Sequence, residues 1–316
     1  MGAIPFVAPL DDVQYGSLDQ LTPLIGRVIA NNPSKFTYRG TGTYIIGRHD
    51  VAVIDPGPDN AEHKAALARA LEGKNVVGIV VTHCHTDHVP LAAWLHEETG
   101  APTFAIGSHP RPIEDEVVDE PDDVSDDEAD DGIREHIDHD FAPTRPVVDG
   151  EVFLRAEDWS LAAVHTPGHT SNHMCVALDV GTALFTGDHV MGWSTTVVSP
   201  PDGNMADYIA SLEKVSARRD AVLYPTHGNP VTDPQPFLRA YLEHRLEREA
   251  AILRVLGSGK ATIDEIVAVL YADVRKELHK AAGRSVLAHL VKLVHDGRVR
   301  VVAGDVPRRT SRYSVI

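Results

Sequence analysis

Thr82-His83-Cys84-His85-Thr86-Asp87-His88 packs three imidazoles and a carboxylate into one short stretch, directly behind the apolar run Val76-Val77-Gly78-Ile79-Val80-Val81. The run is β-branched and reads as a buried strand, so the motif stands at the lip of a sheet. On an extended or tightly turning segment His83 and His85 point one way, while Asp87 and His88 reach a neighbouring point. That arrangement suits two adjacent cations better than one. Burying so many ionisable groups with no compensating ion is too costly to be incidental. Nitrogen and carboxylate donors without thiolates favour zinc, with manganese and iron as alternatives. Cys84 alternates with two of the histidines, so its side chain is expected to point away from them.

A two-cation centre needs further donors, and three later segments offer them. They are His165-Thr166-Pro167-Gly168-His169-Thr170, Phe185-Thr186-Gly187-Asp188-His189 and Tyr224-Pro225-Thr226-His227-Gly228-Asn229. Each follows an apolar strand and is rich in turn residues. Loops at the ends of successive strands are where one face of a layered sheet gathers functional groups. Within the first segment His165 and His169 compete for one place.

Around these motifs the chain alternates strands and helices. Residues 42–47 and 51–55 read as a hairpin across Arg48-His49-Asp50, Asp55-Pro56-Gly57-Pro58 as a turn, and 61–71 as an amphipathic helix. A helix at 91–98 and a strand at 102–105 follow the first motif. Strands are expected again at 151–154, 161–164, 175–178 and 182–185, then a helix at 206–217 and a strand at 221–224. Residues 1 to about 35 are punctuated by Pro and Asn. The second half repeats the content of the first, so two packed mixed sheets with helices outside are the simplest α/β arrangement. From about residue 236 the pattern turns helical. A long charged helix at 237–256 closes at Gly257-Ser258-Gly259. Thr262 with Glu265 forms a capping box, and Ile263, Ile266, Val267 and Leu270 share one face of the helix it opens. A third helix carries Leu287, Leu290, Val291 and Val294 and stops at Gly297. A short hairpin over 298–302 and 312–315 completes a winged-helix pattern.

Charge narrows the partners. The net charge is −17, yet residues 114–140 hold 15 acidic side chains against Arg134 alone, while residues 251–316 hold 12 Lys/Arg against 6 Asp/Glu. The acidic run has almost no apolar periodicity and reads as a solvated, partly disordered insertion. Overall acidity argues against generic polyanion binding; the basic end leaves a local polyanion contact open. The apolar runs are too short to span a membrane. Met1-Gly2-Ala3-Ile4-Pro5-Phe6 has neither a basic n-region nor a long apolar h-region, and two cysteines are too few for a disulfide framework. A cytoplasmic protein that does not enter a membrane is therefore expected.

The four ordered motifs resemble those of the metallo-β-lactamase superfamily, and the likeness covers nearly all of the chain. It implies an αββα sandwich over residues 1–235, with the acidic insertion at about 112–141, and a winged-helix-like unit over 236–316. It also implies His83, His85 and His169 on one divalent metal ion, Asp87, His88 and His227 on a second, and Asp188 bridging. The Pro-Gly-His unit decides for His169 over His165, which leaves His165, His173 and His189 as orienting, substrate-contacting or plain polar residues. Within the superfamily the chain most resembles the β-lactamase-like protein 2 group. That likeness rests on Asn32-Pro33-Ser34, Gly40-Thr41-Gly42-Thr43-Tyr44, the Pro-Gly-His-Thr-Ser-Asn-His run ending at His173, and the C-terminal region from 244 to 300. It departs from that group in the acidic insertion and in residues 193–204.

The expected chemistry is hydrolysis. Two cations about 3.5–4 Å apart lower the pKa of a bound water and polarise the bond under attack. Asp87 is expected to orient the nucleophile and take its proton, with Asp188 the second catalytic carboxylate. A small-molecule ester-type substrate (a thioester, lactone or related ester) is the leading expectation. Single-stranded RNA, as in an endoribonuclease of that group, is the alternative. The winged helix is read as a packing, RNA-contacting or homodimer-forming unit. A non-enzymatic winged-helix regulator predicts missing ligands, and none of the seven is missing. An iron-dependent oxidoreductase of the flavin-linked kind needs a flavin domain that this chain lacks, and the persulfide-oxidising kind needs a mononuclear site.

Overall fold

Strict alternation along the central strands determines how the layers stack. In Gly42–Ile46 (β3) and Asp50–Ile54 (β4), Tyr44, Ile46, Ala52 and Ile54 face one side while Ile45, Val51 and Val53 face the other, and all are buried. A sheet apolar on both faces must be covered on both. The computed structural model describes residues 4–110, 136–180, 182–273, 276 and 279–316. Most of the acidic run, and with it the expectation of a solvated insertion, lies outside the described residues.

The first sheet runs in order from Leu18–Thr22 (β1) and Ile25–Ile29 (β2) through β3 and β4 to Asn75–Val80 (β5), Thr103–Ala105 (β6) and Arg145–Pro146 (β7). Its first four strands are antiparallel and the rest parallel. Parallel neighbours need crossover helices. Ala61–Ala70 (α1) joins β4 to β5, and Leu91–Thr99 (α2) joins β5 to β6. The second sheet comprises Val152–Arg155 (β8), Ser160–His165 (β9), Met174–Leu178 (β10), Ala183–Gly187 (β11) and Val222–Pro225 (β12). Here only β11 and β12 are parallel, joined by Met205–Arg218 (α3).

Tyr44, Ile46, Ile54, Val80 and Phe104 of the first sheet meet Leu161, Met174, Val176, Phe185 and Tyr224 of the second in the central core. Outside the first sheet, Val53 and Ile79 pack on Leu67 and Leu95 of α1 and α2. Outside the second, Leu184 and Leu223 pack on Tyr208 and Leu212 of α3. The predicted αββα sandwich is thus present, with every predicted strand and helix within a few residues of its expected limits. Three strands, β1, β2 and the two-residue β7, arise where sequence analysis placed none; β1 and β7 are the edges of the sheet. β1 is mostly exposed and has no apolar periodicity. β2 is fully buried but interrupted by Gly26 and Arg27, and Arg27 is matched by hydrogen bonds to the Gly228 carbonyl and Asp19.

Pro234–Gly257 (α4) belongs to two cores. Its first turns bury Phe237, Leu238 and Tyr241 against the sandwich, and its last bury Ile252, Val255 and Leu256 in a separate cluster. The expected boundary at 235/236 therefore falls at the start of α4. Ile263–Leu270 (α5), His279–His295 (α6) and the hairpin of Val299–Val301 (β13) with Tyr313–Val315 (β14) complete that second cluster as a winged helix. The capping box is formed: Thr262 accepts from the Glu265 amide, and the Glu265 carboxylate accepts from the Thr262 amide.

His289 of α6 is fully buried, and neither ring nitrogen has a hydrogen-bond partner among the described residues. Burial, reinforced by Arg245, Arg248, Lys292 and His244, holds its pKa well below 6.5. The unfolded chain then binds a proton below about pH 6.5 that the folded chain refuses. Stability is lost as pH falls through that value, by at most about 1.4 kcal/mol per pH unit from this one group. His289→Leu is expected to make the pH dependence of urea unfolding shallower between about pH 6.5 and 5. An unchanged slope would exclude this role.

Candidate metal centre

Every motif picked out above lies at the end of a strand, and the strands bring the motifs to one edge of the sandwich. β5 ends two residues before Thr82-His83, β11 runs into Asp188, and β12 ends just before Thr226-His227. The first motif turns back on itself through bonds from the His88 and Val89 amides to the His85 carbonyl. That turn sends His83 and His85 to one point and Asp87 and His88 to another, as their spacing predicts. His169 arrives on a turn whose tightness requires Gly168. Gly168 has φ +133°, and a Cβ there would lie 2.4 Å from backbone atoms of Tyr208.

Three groups of donors converge: His83, His85 and His169; Asp87, His88 and His227; and His83, His88 and Asp188, each set lying within 4.8 Å. His85 Nδ1 is 2.9 Å from His83 Nε2 and 3.2 Å from His169 Nε2. His227 Nε2 is 3.3 Å from Asp87 and 3.4 Å from Asp188 Oδ1, and His88 Nε2 is 3.3 and 3.5 Å from the same carboxylates. The other oxygen of Asp188, Oδ2, lies 3.8 Å from His169 Nε2. Asp188 therefore presents one oxygen to each set. All seven predicted ligands are brought together. His165 is not among them; it lies at the end of β9, with Nε2 3.2 Å from the Ser171 carbonyl oxygen.

In four of the five rings the other nitrogen is taken by a protein group. His169 Nδ1 donates to the Val197 carbonyl at 2.7 Å, His227 Nδ1 to the Gly40 carbonyl at 3.1 Å, and His88 Nδ1 to Asp55 at 2.9 Å. Thr82 donates its hydroxyl to Asp55, so it is left to accept from His83 Nδ1. These bonds leave the four Nε2 atoms as lone pairs aimed at the centre. His88 Nε2 and Asp188 Oδ1 are buried with no hydrogen-bond partner among the described residues. Converging lone pairs and buried orphan acceptors fit divalent cations bound by nitrogen and oxygen.

Charge supports this fit. Burial opposes protonation of His88 and His227, but Asp87 and Asp188 outweigh it, raising His88 well above its ordinary value and His227 to about 10. Burial works in the opposite sense on the two carboxylates; His88 and His227 overcome it and hold both well below the usual range. Burial lowers His83 and His85 far below 6.5, aided by neighbouring imidazoles. The pocket thus demands positive charge beside the carboxylates and lone pairs beside the imidazoles, and cations meet both demands.

Two positioning residues escaped sequence analysis. Asp55, read only as the end of a strand and the start of a turn, is buried and accepts from the Thr82 amide at 2.8 Å, the Thr82 hydroxyl at 2.8 Å, His88 at 2.9 Å and the Thr226 hydroxyl at 3.2 Å. A carboxylate closing the buried run Val51-Ala52-Val53-Ile54 was the available signal. Thr41 donates to Asp87 Oδ2 at 2.9 Å and is itself bracketed by Asn32. His173 accepts from the Asp188 amide and bonds Thr166. His189 is buried, neither of its ring nitrogens has a hydrogen-bond partner among the described residues, and burial pushes its pKa down to about 3. Cys84 accepts from Asn172 and stands outside the donor groups.

Residues 38–227 match the family described as Metallo-beta-lactamase superfamily, and residues 262–306 match the Beta-lactamase associated winged helix domain. The chain is 30% identical over 321 residues to an "Atrochrysone carboxyl ACP thioesterase" of Aspergillus chevalieri, covering 98% of this chain and 90% of that one. It is 29% identical over 296 residues to the "Beta-lactamase-like protein 2 homolog" of Drosophila melanogaster, covering 90% and 92%. Among solved structures, a beta-lactamase domain protein from Burkholderia ambifaria superposes with a TM-score of 0.73 at 19% identity, over 98% of this chain and 96% of that chain.

Asp55→Asn replaces an acceptor-only group with one whose amide also donates, facing four donors. It is expected to weaken metal binding about tenfold to a hundredfold in chelator competition, although Asp55 is in none of the donor groups. Wild-type affinity in the variant would show that Asp55 does not orient the donors.

Proposed function

The chain belongs to the metallo-beta-lactamase superfamily, as a metal-dependent hydrolase of that fold with an associated winged helix, and from this we propose that it cleaves small-molecule thioesters and related esters at a two-cation centre. His83, His85 and His169 would hold one cation and Asp87, His88 and His227 the other, with Asp188 shared. The observation that carries the reading is the split of Asp188, one oxygen toward His88 and His227 and the other toward His169. A single ion would not require both sets. Zinc suits this donor chemistry first.

When bound, divalent cations supply Lewis acidity toward a carbonyl oxygen and make water acidic near neutral pH. The chain's own residues divide the remaining work. Asp188 keeps 4 % side-chain exposure and Asp87 keeps 23 %. Asp188 is thus a buried strut, and Asp87 is the carboxylate able to exchange a proton on the solvent side. Thr41 holds Asp87 Oδ2, which fixes the direction of that exchange.

The ester class is supported by relatives named as ACP thioesterases at 28–30% identity, matched over 82% or more of this chain in the Claviceps purpurea and Aspergillus chevalieri cases. No helix among the described residues is long and apolar enough to cross a membrane.

One preparation of zinc-loaded protein, assayed against acyl thioesters, lactones and labelled single-stranded RNA, tests the reading. Thioester turnover is expected, with a loss of about a hundredfold or more in Asp188→Ala, the scale on which one charged group acts in a transition state. RNA cleavage alone, abolished in the same variant, would transfer the function to a nuclease.

A further inference from the structure

Arg245 lies on α4, the helix that leads into the winged helix, and is 4% exposed. It makes no ion pair among the described residues. Its Nη2 donates to the Thr196 carbonyl, its guanidinium lies 5.0 Å from the Tyr208 ring centroid, and its Nε has no partner among the described residues. A buried cation without a carboxylate is a costly way to fill space; an apolar side chain of similar volume would pack there at lower cost. Its retention calls for a reason other than packing.

That reason is the loop it grips. The stretch that follows Asp188 is pinned at successive carbonyls from one side. Tyr208 and Thr196 both donate to the His189 carbonyl, at 2.8 and 2.9 Å. The Tyr241 hydroxyl, one turn before Arg245 on α4, bonds the Met191 and Ser194 carbonyls. Arg245 holds Thr196. The next residue is Val197, whose carbonyl receives the Nδ1–H of His169. The same loop returns to the His169 turn through Asp202, which accepts from the Ser171 amide, and through the Asn204 amide on the Gly168 carbonyl.

We infer that Arg245, seconded by Tyr241, is a positioning residue for His169: by fixing the Thr196-Val197 carbonyls it sets the tautomer and tilt of that imidazole, and so ties the helix bearing the winged helix to one of the two cation positions. The inference rests on the two-cation reading above. It assigns α4 a part in the metal site in addition to its packing.

Arg245→Met keeps the volume and removes the donors; Arg245→Lys keeps the charge and removes the fork; Tyr241→Phe removes only the hydroxyl; Arg254→Met, at an exposed position of the same helix, is the control. Each full-length protein is titrated with zinc against a competing chelator, and the melting temperature of the metal-free form is measured alongside. In Arg245→Met one zinc equivalent is expected to weaken about tenfold to a hundredfold while the other stays within a few-fold of wild type. Arg245→Lys should restore part of the loss, and Tyr241→Phe should weaken the same equivalent to a lesser degree. In a His169→Ala background Arg245→Met should weaken zinc binding no further, because the two act on one ligand. Retention of both equivalents at wild-type affinity in folded Arg245→Met and Tyr241→Phe would overturn the inference. So would equal weakening of both equivalents in step with a fall in melting temperature, which marks a purely structural role. Wild-type protein that binds fewer than two equivalents would instead overturn the two-cation reading itself.

Discussion

Five imidazoles and two carboxylates meet in one buried place, and the rest of the structure answers to that convergence. Imidazoles brought nitrogen to nitrogen at about 3 Å repel unless a proton or a cation lies between them, and buried carboxylates without counter-charge cost several kcal/mol each. Such a cluster is aimed by the partners of the ring nitrogens that face away from it. The carbonyls of Gly40 and Val197, the Thr82 hydroxyl and the Asp55 carboxylate are those partners for four of the five rings. The surrounding hydrogen bonds decide which nitrogen of each ring faces inward, so the site is specified outside the donor set as much as within it.

The sandwich is the simplest scaffold that supplies these partners from both sheets at once. β4 and β5 run parallel in the first sheet, β11 and β12 in the second. Parallel neighbours bring their carboxyl ends to the same edge, which puts Asp55 beside Thr82-His83 and Asp188 beside Thr226-His227. Thr226 then closes the gap between the sheets with its bond to Asp55. Crossover helices are the cost of parallel pairing, and α1 and α3 meet it on the outer faces. Asp55 takes a positive φ of 49°, at which its carboxylate collects donors from three residues on two loops. Backbone strain at a functional residue is tolerated where surrounding bonds outweigh it.

The ligands were legible in the sequence because each is written locally: an apolar strand, then turn residues, then a donor. The layers were legible because two-residue alternation survives in β3, β4 and β10. What supports the ligands was not. Asp55 gathers groups 27, 33 and 171 residues away, and no local pattern encodes a meeting at that range. Gly40 and Val197 act through backbone carbonyls, which every residue has, so their identity carries no signal. β2 was hidden because its buried polar member, Arg27, is matched by a carbonyl 201 residues away. Local pattern reveals what is buried and what can bind. Long-range hydrogen bonds decide how it is aimed.

The loop after Asp188 shows the consequence. It lies between the Asp188 motif and the helix α3, and it touches both halves of the centre. Near its start Trp193 stacks on Tyr38 at 4.7 Å and lies over Gly228, the neighbour of His227. Near its end Val197 receives His169 and Asp202 receives Ser171. A segment held at both halves of the centre and braced from behind by α4 couples the two donor groups: a shift of its backbone reaches the Val197 carbonyl that receives His169 and the Trp193 ring over Gly228 together. The buried anchors Tyr241 and Arg245 on α4, which hold the Met191, Ser194 and Thr196 carbonyls, limit that shift.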